Sequence, residues 1–108
     1  MIDSDVRKEI ADLVDEIIKA APTHKIYLFG SFAYGKPGLD SDIDLCIITK
    51  DSNMRKRDLI KAIRKSISGV ATMPVDIIVL DKEEFSKRAK VRSTLEFKIA
   101  NEGVSIYG

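Results

Sequence analysis

The chain has one cysteine and one histidine among its 108 residues. A lone Cys46 forms no internal disulfide, so a disulfide scaffold is excluded and a cytoplasmic location is expected. With no second histidine, His24 reads as a loop residue between a helix and a strand rather than a ligand or base. No apolar run approaches the ~20 residues of a membrane span. The start, Met-Ile-Asp-Ser-Asp, is acidic and lacks the basic and apolar regions of a secretion signal, so no membrane or export role is expected. Charge of one sign is missing too: 18 Lys and Arg against 17 Asp and Glu leave +1, which gives no case for a nucleic-acid partner. Repeats, low-complexity tracts and linkers are absent. One domain over residues 1–108 is expected, with little room for a separate substrate domain.

What is present fits a soluble globular protein: 44% apolar and 32% charged residues. The charge is unevenly spread. Residues 1–21 hold six acids against three bases, and residues 50–65 hold seven bases against two acids. The basic stretch reads first as a solvated helix face, and second as a surface for a nucleotide or an acidic partner.

Val6, Ile10, Leu13, Val14, Ile17 and Ile18 recur at helical spacing, and Ala21-Pro22 ends that helix. Lys25 to Phe29 is a β-rich run stopped by Gly30. Residues 31–35 read as one helical turn and Lys36-Pro37-Gly38 as a loop. Asp42 to Thr49 is a second strand, apolar enough for burial on both faces. Ser52 or Asn53 caps a helix striped by Leu59, Ile60, Ile63 and Ile67, closed by Ser68-Gly69. Val75 to Leu80 is a third strand. Residues 82–102 read as helical with a break near Lys90-Val91, and Val104 to Tyr107 as a short edge strand. This alternation predicts an α/β (α+β) fold: a small mixed sheet of three to four strands flanked by helices.

Two motifs carry chemistry. Gly30-Ser31 leaves the first strand on a residue without a Cβ, where backbone can approach a phosphate. Eleven residues after Ser31, Asp42 and Asp44 open the second strand at i, i+2, which points both carboxylates to one face. Two such anions repel unless a proton or a cation intervenes, and Mg²⁺ suits an oxygen set that leaves room for phosphate and water. Asp76 is the one acid within the apolar third strand. It reads as a buried carboxylate that needs a partner or a metal. If the second and third strands pair in parallel, all three acids meet at one end of the sheet as a two-metal phosphoryl-transfer site.

Two other motifs share part of this pattern. Gly30 to Lys36 satisfies the first seven positions of a P-loop, but Pro37 stands where Ser or Thr is needed. Asp40, Asp42 and Asp44 fall at calcium-loop positions, but Leu45 replaces the required Gly and the chain continues as strand. Cys46 reads as a buried core thiol, Tyr27 and Phe29 as core packing, and Tyr34, in the site loop, as packing rather than contact with adenine or ribose.

Gly30-Ser31, then Ser41-Asp42-Ile43-Asp44-Leu45, then Asp76 resembles the nucleotidyltransferase superfamily of DNA polymerase β, and within it the minimal nucleotidyltransferases (MNT). The resemblance covers nearly the whole chain. It implies that Gly30, Ser31 and Ser41 bind the triphosphate of ATP. It implies that Asp42, Asp44 and Asp76 hold two Mg²⁺ ions, with Asp76 helping to deprotonate the acceptor. It also implies transfer of AMP to a tyrosine of a helical HEPN-like partner in a toxin–antitoxin pair. A non-catalytic antitoxin-like module is the alternative function. Transfer to a small molecule such as an aminoglycoside is another, with a homodimer one way to build its cleft. The family often has Arg where this chain has Tyr34. Lys36 or a base from residues 55–65 is the expected substitute.

Overall fold

The computed structural model describes residues 4–35, 37–38, 41–51 and 53–108. In chain order the elements are α1 (Ser4–Ala20), β1 (Thr23–Phe29), β2 (Ile43–Thr49), α2 (Lys56–Ile67), β3 (Val75–Asp81), α3 (Lys82–Ala89), α4 (Leu95–Glu102) and β4 (Val104–Tyr107). The strands form one mixed sheet in the order β3-β2-β1-β4. β2 pairs parallel to β3, and β1 pairs antiparallel to both β2 and β4. The expected α/β layer fold is therefore present, including the parallel pair and the short edge strand. Among the described residues no helix is long and apolar enough to cross a membrane.

Strand parity divides the core. Ile26, Leu28, Ile43, Leu45, Ile47, Val75 and Val79 face α1 and α2, and meet the stripes Ile10, Leu13, Val14, Ile17 and Leu59, Ile63, Ile67. Phe29, Cys46, Ile48 and Leu80 point to the other face and meet Ile99 of α4 and Phe85 of α3. Helices on both faces explain why β2 carries apolar residues at both parities. Each fully buried Leu or Ile contributes about 1.5–3 kcal/mol by leaving water. The arrangement thus rests on side chains that alternate about a sheet with two apolar faces.

Several local expectations are corrected. His24 lies within β1, exposed, rather than in a loop. Residues 31–35, by contrast, form the expected single turn: the N–H groups of Ala33 and Tyr34 both donate to the Gly30 carbonyl, at 3.1 and 3.0 Å. Asn53 does not cap α2. Arg55 precedes that helix without a side-chain cap, and the other expected cap, Ser52, lies outside the described residues. The break in the last helical stretch is five residues, 90–94, and ends where Thr94 caps α4. Asp81 accepts from the Glu84 N–H at 2.7 Å to start α3 directly from β3. Thr94 accepts from the Phe97 N–H at 3.1 Å to start α4.

α3 and α4 are tied to each other by an ion pair. Arg88 Nε donates to Glu96 Oε2 at 3.0 Å, and Glu96 is buried while the arginine is half exposed. Removing the cation strands a buried carboxylate. Arg88→Ala is therefore expected to cost about 1–3 kcal/mol. Glu96→Gln, which keeps an acceptor for Arg88 without the charge, is expected to cost less. Urea unfolding midpoints of the two variants check the order.

Candidate active site

The sheet register assembles the site. Phe29 of β1 pairs with Asp44 of β2, and Asp44 pairs with Asp76 of β3. The turn beginning at Gly30 therefore leaves β1 beside Asp44, with Asp76 next in the same row. The Ile43 N–H donates to the Pro74 carbonyl at 3.0 Å and joins the starts of β2 and β3. By parity Asp44 and Asp76 point to the α3/α4 face, at the end of it away from Ile48 and Leu80.

Gly30 is required here twice over. Its φ is 77°, in the region that disfavours a side chain, and a Cβ there would overlap Asp44 Oδ2. The backbone turn and the carboxylate are thus in contact. Ala33 and Tyr34 spend their N–H groups on Gly30, which leaves those of Ser31 and Phe32 without an acceptor among the described residues. Ser41 lies before β2, where its hydroxyl accepts from the Gly38 N–H at 2.6 Å and closes the preceding loop. Its own proton remains free to donate.

Asp44 is half-buried, and its carboxyl is pushed up from 3.8 to about 6. Burial is the largest cause, followed by the charge of Asp76, the charge of Asp42 and a hydrogen bond shared with the Asp76 carboxyl. Every one of these influences acts in the same direction. Asp76 itself is exposed, which corrects the expectation of a buried acid. β3 is an edge strand, and Asp76 sits one residue from its start, beyond the reach of the apolar cluster under α3.

The all-oxygen, mutually repelling set fits a hard divalent cation. Among the described residues no three acid, histidine or cysteine side chains already close round a single metal position. Mg²⁺ sites are commonly of this open kind, with one or two carboxylates and the remaining ligands from phosphate and water. Cys46 is excluded as a nucleophile. It is fully buried, and burial, then the nearby Glu96 charge, pushes its thiol up to about 12.

Tyr34 packs as expected, but its neighbour Lys98 was not legible beforehand. Tyr34 packs against the second core cluster with its hydroxyl buried and unpartnered, and Lys98 of α4 holds its ammonium 4.9 Å from the Tyr34 ring centre. Lys98 lies 64 positions from Tyr34 in the chain, so no spacing pattern announces the pair. Of the expected substitutes for the missing arginine, Lys36 lies outside the described residues. α2 packs on the opposite sheet face, and its Arg64 donates to the Val75 carbonyl at 2.8 Å.

With this geometry in place, the family is shown by comparison. Residues 7–101 match the nucleotidyltransferase domain family, and the chain belongs to it. It resembles a candidate nucleotidyltransferase from Sulfolobus solfataricus with a TM-score of 0.50 and 26% identity, over 81% of this chain and 82% of that one. It also resembles a toxin–antitoxin crystal structure with AMP-PNP, at a TM-score of 0.54 and 20% identity over 91% of this chain and 72% of that chain. At that identity the second likeness speaks to the fold alone. No curated protein sequence matches the chain.

The raised Asp44 pKa sets a pH dependence for the metal-free protein. The unfolded chain releases this proton near 3.8 and the folded chain near 6. Between those values the folded state holds the extra proton, so the contribution of Asp44 to stability falls as pH rises through the window and stays low above it. Asp44→Asn is accordingly expected to raise Tm at about pH 7.5 and to give little gain at about pH 3.5. Added Mg²⁺ should raise Tm at about pH 7.5 for the wild type and not for the variant. Thermal melts with and without metal check both.

Proposed function

We propose that the chain is a Mg²⁺-dependent nucleotidyltransferase that moves AMP from ATP to a hydroxyl of a partner protein. The observation that carries this reading is the row of Gly30, Asp44 and Asp76. A bare backbone turn lies against a carboxylate whose repulsion from its neighbours a divalent cation would relieve. Membership of the nucleotidyltransferase family supports the reaction class.

In this reading Asp42 and Asp44 hold the metal, and Asp76 completes the set from the neighbouring strand. When bound, one or two Mg²⁺ ions lower the pKa of the acceptor hydroxyl and neutralise charge on the triphosphate. The turn offers the N–H groups of Ser31 and Phe32, with the hydroxyls of Ser31 and Ser41, to the phosphate oxygens. Lys98 brings positive charge to the same loop, where the resembling family often carries Arg. The acceptor oxygen forms a bond to the α-phosphorus as the bond to the β-phosphate bridging oxygen breaks. Pyrophosphate leaves with that electron pair, and Asp76 takes the hydroxyl proton. The adenine nucleotide and the HEPN-like protein acceptor are drawn from the resemblance to the minimal nucleotidyltransferases, and the toxin–antitoxin structure with AMP-PNP shares the fold.

Incubation with labelled ATP, Mg²⁺ and a HEPN-like partner encoded beside the gene is expected to label the partner. EDTA or Asp44→Ala should reduce labelling to background. Equal labelling by Asp44→Ala would overturn the reading. Lys98→Ala should raise KM for ATP about three- to tenfold, the size of one solvent-screened charge contact. A second reading, an antitoxin-like module that acts by binding alone, is favoured by Tyr34 and by the open carboxylate set. It predicts that Asp42→Ala/Asp44→Ala protects cells as well as the wild type does.

A further inference from the structure

A second site lies on the same sheet face as the carboxylates, at the other end. A cavity of about 360 Å³ opens between the start of β1 and the side of α3. Its floor is apolar. Tyr27 stacks on Phe85 with ring centres 5.7 Å apart and planes at 22°, and Ile48 and Ala89 continue the surface. Its rim is basic: His24 and Lys25 on β1, Lys82 at the start of α3 and Lys90 just past its end. No acid lines it.

The charge inventory of α3 shows why this rim is available. Glu83 pairs with Lys87 at 3.0 Å, Glu84 with Lys56 at 2.8 Å, and Arg88 with Glu96 at 3.0 Å. Asp81 caps the helix. The acids Asp81, Glu83 and Glu84 line a separate hollow with Lys87. Lys25, Lys82 and Lys90 have no carboxylate partner among the described residues, and Lys25 rests its ammonium 5.2 Å from the Tyr27 ring centre. Three lysines around an aromatic floor, in a chain of net charge +1, are a local feature and not a consequence of bulk charge.

We propose that this cavity docks an acidic peptide segment of a partner protein, with one bulky apolar side chain set on Tyr27 and Phe85 and flanking carboxylates on the lysines. Small-molecule sites usually enclose most of their ligand, whereas this cavity is flanked by exposed residues on both β1 and α3. A chain segment lying across it meets floor and rim together. Asp44 and Ile48 are four positions apart on β2, about 13 Å along the strand. A segment held here leaves the carboxylate end of the face open for an acceptor. That use in acceptor recognition rests on the transferase reading above, while the docking itself does not.

Fluorescence anisotropy tests it without ATP or metal, so the result is independent of transfer. The probe is a short labelled peptide with one Phe flanked by Asp and Glu. Saturable binding is expected, weakened about tenfold or more when the peptide Phe becomes Ala. Lys82→Glu/Lys90→Glu should weaken it by a similar factor, while Lys61→Glu/Lys65→Glu, exposed on α2, should bind as the wild type does. The proposal is overturned if the two charge-reversed proteins bind alike, if the Phe-free peptide binds equally well, or if AMP displaces the peptide, which would make the cavity a nucleotide site. Unchanged melting of both variants confirms that the comparison is between folded proteins.

Discussion

Repulsion between carboxylates held in one row of the sheet is the constraint on which the rest depends. β2 is apolar at both parities, with Leu45 and Ile47 on one face and Cys46 and Ile48 on the other. Hydrophobic alternation alone would therefore tolerate a slip of this strand better than it would in a half-buried one. The acids do not tolerate it. Moving Asp44 two positions inward would put an ionised group where Cys46 is fully buried, at a desolvation cost no neighbour offsets. The charge of the carboxylate row thus helps to fix the register that brings the row together. The Ile43 to Pro74 hydrogen bond and the contact of Gly30 with Asp44 hold the same register from either side.

The architecture was legible because it rests on patterns that survive local ambiguity. The α1 and α2 stripes, the three apolar strands and the stop at Gly30 are each visible over several residues. The parallel pairing of β2 with β3 follows from the helix between them. What the sequence misjudged was context. Asp76 looked buried because its strand is apolar, yet strand position in the sheet decides exposure, and β3 is an edge. The expected cation on α2 faced the wrong side, since a helix's face is set by its apolar stripe and not by where charge is wanted.

One sheet face carries opposite charge at its two ends. The carboxylate row lies where β2 and β3 begin, and the lysine rim lies where β1 begins, beside the end of β2. The antiparallel β1–β2 pair makes this separation unavoidable, because the end of β1 and the start of β2 must coincide. Aromatic packing of Tyr27 on Phe85 fills the ground between. At an effective dielectric of about 20–80, charges separated by about 13 Å interact by less than about 1.5 kcal/mol, and salt screens them further. The two ends can therefore be altered almost independently.

Tyr34 shows how a departure in the loop is coupled to a residue far along the chain. Its ring joins the cluster of Phe29, Cys46 and Ile99, and its hydroxyl is buried without a partner, a loss of about 1–3 kcal/mol relative to a satisfied group. An arginine placed in the same packing would bring a guanidinium against that apolar cluster and beside the Lys98 ammonium. Two cations there would repel, and one would be desolvated. A neutral aromatic ring avoids both penalties and offers its face to Lys98 as a cation–π support. The positive charge at the loop is then carried by α4, whose position depends on the Thr94 cap and the Arg88–Glu96 pair. Through those contacts, the stability of the α3–α4 corner bears directly on the electrostatics of the Gly30 turn.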